Sequence, residues 1–306
     1  MSRNLYLVCC GIFVYFLGIS SVFSQINHQL EVNLNPESHT IQVIDTLTLP
    51  ESISYSIQFT LHAGLKPKVL DDNIELKLLQ IPKSSQSNNQ TQLPLEHYQL
   101  SFKNKQKLIR IQYGGEIFHD VKNISKDYAR SFKETSGIIN NEGVFLAGAS
   151  YWYPVFENEL VTFSLNINLP KDWKSVSQGS YKKIVTAKDK SSDTWTIDKP
   201  QQEIYLIAAK FYLYQQKSDS IVAQVFLRTE DPALAQKYLD VTSRYITMYN
   251  KLLGLYPYNK FALVENFWET GYGMPSFTLL GPKVIRLPFI LHSSYPHEIL
   301  HNWWGN

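Results

Sequence analysis

The chain has 306 residues, 44% of them hydrophobic and 13% aromatic, with a formal net charge of +2. This length and apolar content suit about two domains with a sizeable core and exclude a disordered polymer. The balanced charge, with no Lys/Arg-rich run interleaved with aromatics, gives no nucleic-acid groove, so no nucleic-acid partner is expected.

Residues 1–24 stand apart. Arg3 supplies a positive start, residues 5–19 are mostly apolar, and Val22 and Ser24 are small enough for a signal-peptidase site before Gln25. The pattern predicts an export signal and therefore a periplasmic, cell-surface or extracellular protein. Its rival is an uncleaved anchor over residues 5–23, with Ser20 and Ser21 tolerated in the span. Both cysteines, Cys9 and Cys10, fall inside this segment. The mature chain would then form no disulfide and offer no thiolate, so any metal site must be built from histidine and carboxylate.

Residues 25–218 read as an all-β, sandwich-like domain. Stretches such as 39–49 (HTIQVIDTLTL), 107–113 (KLIRIQY), 160–169 (LVTFSLNINL) and 203–212 (EIYLIAAKFY) are rich in Val, Ile, Thr, Tyr and Phe, several with the alternation of half-buried strands. The polar tract 83–93 reads as a solvated loop, and Asn89 and Asn123 head glycosylation-acceptor triplets. A polar joint, 215–220, marks the domain boundary. Residues 219–306 then read as α+β. Asp231 and Pro232 open a long helix that Gly254 closes, with Leu234, Tyr238, Val241, Tyr245, Tyr249 and Leu252 at helical spacing. Strands are expected at 260–267 and 284–290, and Ser294 offers an N-cap for a final helix carrying HEILH.

On a helix each residue turns about 100°, so residues four apart share a face. His297 and His301 can therefore aim two imidazole nitrogens at one ion, while Glu298 stands to the side, where it could act as general base toward water on a zinc ion. The bland alternative is an ordinary helix in which these three residues fall together by accident.

Context favours zinc. Residues 297–306, HEILHNWWGN, resemble the zinc-binding segment of gluzincin metallopeptidases of the aminopeptidase N type, whose signature is H-E-x-x-H-x-W-x-G-N. The stretch GLYPYNKFALVENFWETGYGMPSFTLLG is similar to that family's Tyr-Pro, Lys and G-x-M-E-N region, and YWYPVFENELVTFSLNINLPKDW to a segment of its N-terminal domain. The resemblance implies an N-terminal β domain followed by a thermolysin-like catalytic domain, a Zn2+ cofactor and a peptide substrate. It also implies a glutamate ligand about eighteen residues beyond His301 and a tyrosine further on. Both would lie past Asn306, so the chain is expected to be the N-terminal part of a longer protein.

One departure matters. The family's G-A-M-E-N glutamate grips the substrate's free amine, but the matching residues are Tyr272, Gly273, Met274, Pro275 and Ser276, with proline where that glutamate stands. Gly273 and Met274 are carried over as substrate-binding. Gly271 and Gly273 are followed by no G-K-[ST], so they read as close-approach backbone near a substrate and not as a phosphate loop. Three carboxylates could substitute for the missing one: Glu142, and with a surface role weighed against them, Glu265 and Glu269. The aromatics 151–153 and 303–304 read as packing, and the six remaining histidines have no partner at ligand spacing. The rivals to an aminopeptidase are a non-catalytic binding protein on the same scaffold and a peptidase that needs no free amine.

Overall fold

The computed structural model describes residues 25–53, 55–79, 93–105, 107–123, 133–185, 191–218 and 221–304. The expected export signal with both cysteines, most of the polar tract 83–93 with Asn89, and Ser125 of the second acceptor triplet lie outside them.

Strand Gln25–Asn35 buries every second residue from Ile26 to Leu34, the alternation of a half-buried strand. It sits at the centre of a seven-stranded sheet, paired antiparallel with Thr40–Thr48 and parallel with Leu160–Leu169. Leu108–Glu116 and Ser191–Gln201 extend the sheet on either side. A three-stranded sheet (Ser56–His62, Leu95–Phe102, Ile74–Leu79) and a four-stranded one (Ile138–Asn140, Gly143–Leu146, Leu206–Ala209, Lys174–Val176) complete this layered β region. Three of the expected strands, 39–49, 107–113 and 160–169, are present within a few residues of their predicted bounds. The fourth, 203–212, divides: Leu206–Ala209 belongs to the four-stranded sheet, and Tyr212–Ser218 opens the next one.

That next sheet has five strands in the order Tyr212–Ser218, Ile221–Leu227, Lys260–Glu265, Phe277–Leu280, Gly271–Met274. Residues 215–218 of the polar joint thus lie within the first of these strands, and the C-terminal sheet starts at Tyr212. Helix α1, Pro232–Leu253, crosses from Ile221–Leu227 to the parallel strand Lys260–Glu265. Its start is capped by Asp231, whose side chain accepts from the Leu234 N–H at 2.9 Å, with Pro232 in the first turn. Its end falls at Gly254, whose φ of 102° suits a residue without Cβ. Tyr238 and Val241 are buried as expected, but Leu252 is 70% exposed.

All six residues of Lys260–Glu265 are buried, because both faces of the sheet are covered. Ala262 and Val264 pack into the core shared with the N-terminal β region, and Phe261 and Leu263 pack under the helices. The strand expected over 284–290 is absent. Val284–Arg286 and Pro288–His292 are 3-10 turns that bury Ile285 and Ile290 and leave the four residues between them exposed, without the alternation of a half-buried strand; Pro288 supplies no ladder N–H. Helix α2, Ser294–Leu300, follows, with Ser293 at its N-cap position in place of Ser294. Among the described residues no helix is long and apolar enough to cross a membrane.

Candidate metal centre

Helix α2 is fixed by its buried side. Tyr295 and Ile299, four apart, are fully buried against α1, and the Tyr295 hydroxyl meets Thr242 Oγ1 at 2.5 Å. With that face inside, His297 and His301 fall on the opposite side, exposed and half-buried respectively. Their Nε2 atoms lie 3.0 Å apart, with the rings edge to face. Two nitrogens on one tetrahedral zinc, each at about 2.05 Å, stand about 3.3 Å apart, so the pair is already close to ligand geometry.

The tautomer of His301 follows from its other nitrogen. Nδ1 lies 3.3 Å from the Trp304 carbonyl, which only accepts, so Nδ1 carries the proton and Nε2 keeps its lone pair for an ion. The His297 Nε2–H then faces that lone pair, and a cation would replace the proton between them. The donor set fits zinc as two of its ligands. Among the described residues no group of three His, Cys, Asp or Glu comes together to hold a metal.

Glu298 is half-buried beside the pair. Burial pushes its carboxyl above the usual range, while His301 and His297 pull it back. Its Oε2 reaches the edge strand Gly271–Met274: a Cβ built on Gly273 would stand 2.5 Å from Glu298 Oε2 and 3.4 Å from His301 Cδ2. The close approach at Gly273 is to the candidate base, Glu298, and Gly271 makes none, since a Cβ there would meet only Leu280 Cδ2 at 3.9 Å. On the edge-strand side, Gly273 and Pro275 line a groove of about 470 Å³ with Gln201, Glu203, Tyr205 and Tyr258 of the neighbouring segments.

The remaining candidates separate. Met274 is 4% exposed and packs in the core, so its side chain is not offered to a substrate. Pro275 and Ser276 are not strand residues: Met274 pairs with Phe277, which leaves the two as a tight turn. Proline's fixed φ followed by Ser276 at φ 68° is the combination a type II turn needs. Glu142 is exposed on the hairpin joining Ile138–Asn140 to Gly143–Leu146, and its carbonyl accepts from Arg228 Nη2 at 3.3 Å. The next residue, Gly143, lies against the Phe267 ring, which puts Glu142 at the junction of the two regions.

Glu265 is neither a surface acid nor a groove residue. It is 3% exposed, accepts from the Arg228 N–H at 2.8 Å and pairs with Arg286 Nη1 at 2.7 Å. Glu269 Oε1 accepts from the Lys283 N–H at 3.1 Å, tying the loop after Leu280. Trp152 and Tyr153 are core residues as expected; Trp303 packs on Tyr249 and Tyr256, but Trp304 is 60% exposed.

The other histidines do have partners, reached through the fold instead of along the chain. His28 Nδ1 lies 2.7 Å from Asp45 Oδ2, both fully buried, and His62 Nε2 lies 2.9 Å from His119 Nε2. The latter is no second metal pair: His62 Nδ1 accepts from the Gly64 N–H, so its Nε2 holds the proton. Sequence reasoning also passed over Asn302. It is buried, takes the Ser276 N–H on Oδ1 at 2.7 Å, and donates from Nδ2 to the Glu298 and Ile299 carbonyls. Only its place directly after His301 hinted at this.

No protein-family model and no curated protein matches the sequence. Solved structures match by fold. An M1 zinc metallopeptidase from Deinococcus radiodurans superposes with a TM-score of 0.59 at 13% identity, covering 92% of this chain and 64% of that one. A mutant of the same enzyme, bound to a Tyr-Ser-Ala substrate, gives 0.60 at 12% identity with the same coverage. Native yeast LTA4 hydrolase gives 0.61 at 14% identity, covering 93% of this chain and 44% of that one. The chain has the fold of the corresponding part of these enzymes, an N-terminal β region followed by the start of a mixed α/β one, and it spans less than two thirds of their length.

Proposed function

We propose that this chain carries the zinc-binding helix and the general base of an exported, aminopeptidase-like zinc metallopeptidase whose substrates are peptides. The observation that carries the reading is the convergence of the His297 and His301 Nε2 atoms at 3.0 Å beside the half-buried Glu298. His297 and His301 would hold the ion through Nε2, with a third ligand from outside the described residues. When bound, zinc would supply a Lewis acid for the scissile carbonyl and bring the pKa of water toward about 7.

The chain's own residues do the rest. Trp304 O holds the His301 ring in the tautomer that leaves Nε2 free. Glu298 takes a proton from the attacking water on its carboxylate and returns it to the leaving amine; burial raises its proton affinity for the first step. Gly273, with no side chain, leaves room for that carboxylate beside the edge strand.

Pro275 favours a second reading of the substrate. It lines the groove where the resembling family has its amine-gripping glutamate, so hydrolysis that does not need a free N-terminus is the alternative. This chain by itself is expected to bind zinc weakly and to hydrolyse nothing, so the test is bound zinc and hydrolysis of free and acetylated peptides by the full-length, zinc-loaded protein. Glu298→Gln should keep the metal and lose about 10²- to 10⁴-fold in rate, and His301→Ala should lose both. Retention of most activity by Glu298→Gln would remove Glu298 from the mechanism. Equal cleavage of acetylated and free peptides would keep the mechanism and reject the aminopeptidase label.

A further inference from the structure

The two-residue turn at Pro275 and Ser276 is bonded from four sides, and every bond falls on Ser276. Its carbonyl accepts from Ala262 N–H at 3.1 Å and from Lys260 Nζ at 3.0 Å. Its hydroxyl accepts from Gly179 N–H at 3.3 Å, and its N–H donates to Asn302 Oδ1 at 2.7 Å. Such convergence is what holds a serine at φ 68°, a conformation that L residues with a side chain adopt only when their surroundings impose it.

The two side chains in this set come from opposite directions. Lys260 is 2% exposed; its ammonium also donates to Ser177 O in the N-terminal β region at 2.9 Å and lies about equally far from the Trp195 and Phe277 rings, at 5.1 and 5.0 Å. Asn302 reaches the turn from the C-terminal end of α2, where its Nδ2 donates to the carbonyl of Glu298 itself at 3.3 Å. A buried ammonium is costly to desolvate, and an apolar side chain would fill the space more cheaply. What an apolar side chain would not do is bond two backbone carbonyls that belong to different parts of the fold.

The consequence reaches the candidate site through register. Gly273 pairs with Thr278 across this turn, and its backbone bounds the Glu298 carboxylate. We propose that Lys260 and Asn302 are positioning residues: together they lock the turn between the N-terminal β region and α2, and so fix the edge strand against the Glu298 carboxylate. Neither touches a reacting atom. The catalytic part of this inference rests on the proposed hydrolysis; the positional part does not.

The experiment uses the full chain as wild type, Asn302→Ala, Lys260→Met and, as a control that loses only the Gly179 bond, Ser276→Ala. Hydrogen exchange is read over 271–280 and 297–302, together with the NOE between Gly273 Hα and the Glu298 side chain. Asn302→Ala, which loses the bonds to Ser276 N–H and to the Glu298 and Ile299 carbonyls, should speed exchange in those two segments about tenfold or more and weaken the NOE, with the seven-stranded sheet unchanged. In the zinc-loaded protein kcat should fall about tenfold or more with KM changed less than about twofold, and Ser276→Ala should stay near wild type. Should Lys260→Met not fold, Asn302→Ala decides alone. Uniform acceleration across all sheets, an unchanged NOE, or an unchanged kcat in a hydrolysing protein would overturn the proposal. Hydrolysis is read in the full-length protein that supplies the third zinc ligand; a full-length wild type that hydrolyses nothing refutes the proposed function, while the exchange and NOE readouts on this chain still decide whether the turn is locked.

Discussion

Glu265→Gln is expected to lower the melting temperature by about 2 to 6 °C without changing how peptides bind. The wild-type carboxylate receives two donors, Arg228 N–H at 2.8 Å and Arg286 Nη1 at 2.7 Å. The amide has the same shape but one acceptor oxygen and two N–H donors, so one of the incoming donors meets another donor. Leaving a buried backbone N–H unpaired costs about 1–3 kcal/mol. The lost ionic contribution of Arg286 adds about 1 kcal/mol or less, because its side chain is 41% exposed and can turn to water. The sum, about 1–4 kcal/mol, converts to that shift for a chain of this size at about 2.1 cal/mol/K of unfolding entropy per residue. Thermal melts followed by circular dichroism, closed into a cycle with Arg286→Ala, would show a coupling of about 1 kcal/mol. A melting point within about 1 °C of wild type, with KM for a peptide raised tenfold or more, would refute the structural role and return Glu265 to the substrate-binding candidates.

Three further outcomes are expected. Burial, reinforced by His119, pulls His62 down to about 4, so between that value and 6.5 the unfolded chain binds more protons than the folded one. Stability should therefore fall as the pH drops from about 6.5 toward 4, by at most about 3 kcal/mol, and His62→Gln should flatten the trend; urea midpoints at pH 7 and 5 that shift equally in both proteins would contradict this. Asp231→Ala removes the cap on Leu234 N–H and should cost about 1 kcal/mol in urea unfolding, with no change in bound zinc. With two imidazoles as the converging ligands among the described residues, zinc on this chain should be stripped by a mild chelator, and stoichiometric, chelator-resistant zinc would show that a third ligand is already in place.

Local pattern made much of this legible. The spacing of His297, Glu298 and His301 places all three on neighbouring faces of one helical turn, because 3.6 residues per turn is a property of the backbone and not of the fold. Asp231, Pro232 and Gly254 bounded α1 for the same reason: capping is satisfied within a few residues of chain. Alternation in 25–35 and 160–169 is likewise a local consequence of the pleat, although nothing in either stretch says that they pair in parallel across 135 residues. Where local composition misled, as in 284–290, the segment folds as two 3-10 turns that bury Ile285 and Ile290, with Pro288 unable to donate to a ladder.

What tertiary structure alone decided is the meaning of side chains whose partners are distant. Glu265 and Glu142 looked alike as spare carboxylates; one is a buried anchor for Arg286 and the other an exposed hairpin residue. His28 and His62 had no neighbour at ligand spacing, yet each meets a partner 17 or 57 residues away. Lys260, Ser276 and Asn302 meet only because a strand, a turn and a helix end are packed together. The physical reason is range. Helical phase, capping and pleat act over a few residues and are written in their spacing, whereas desolvation and the pairing of buried polar groups depend on which distant atoms folding brings within 3 Å.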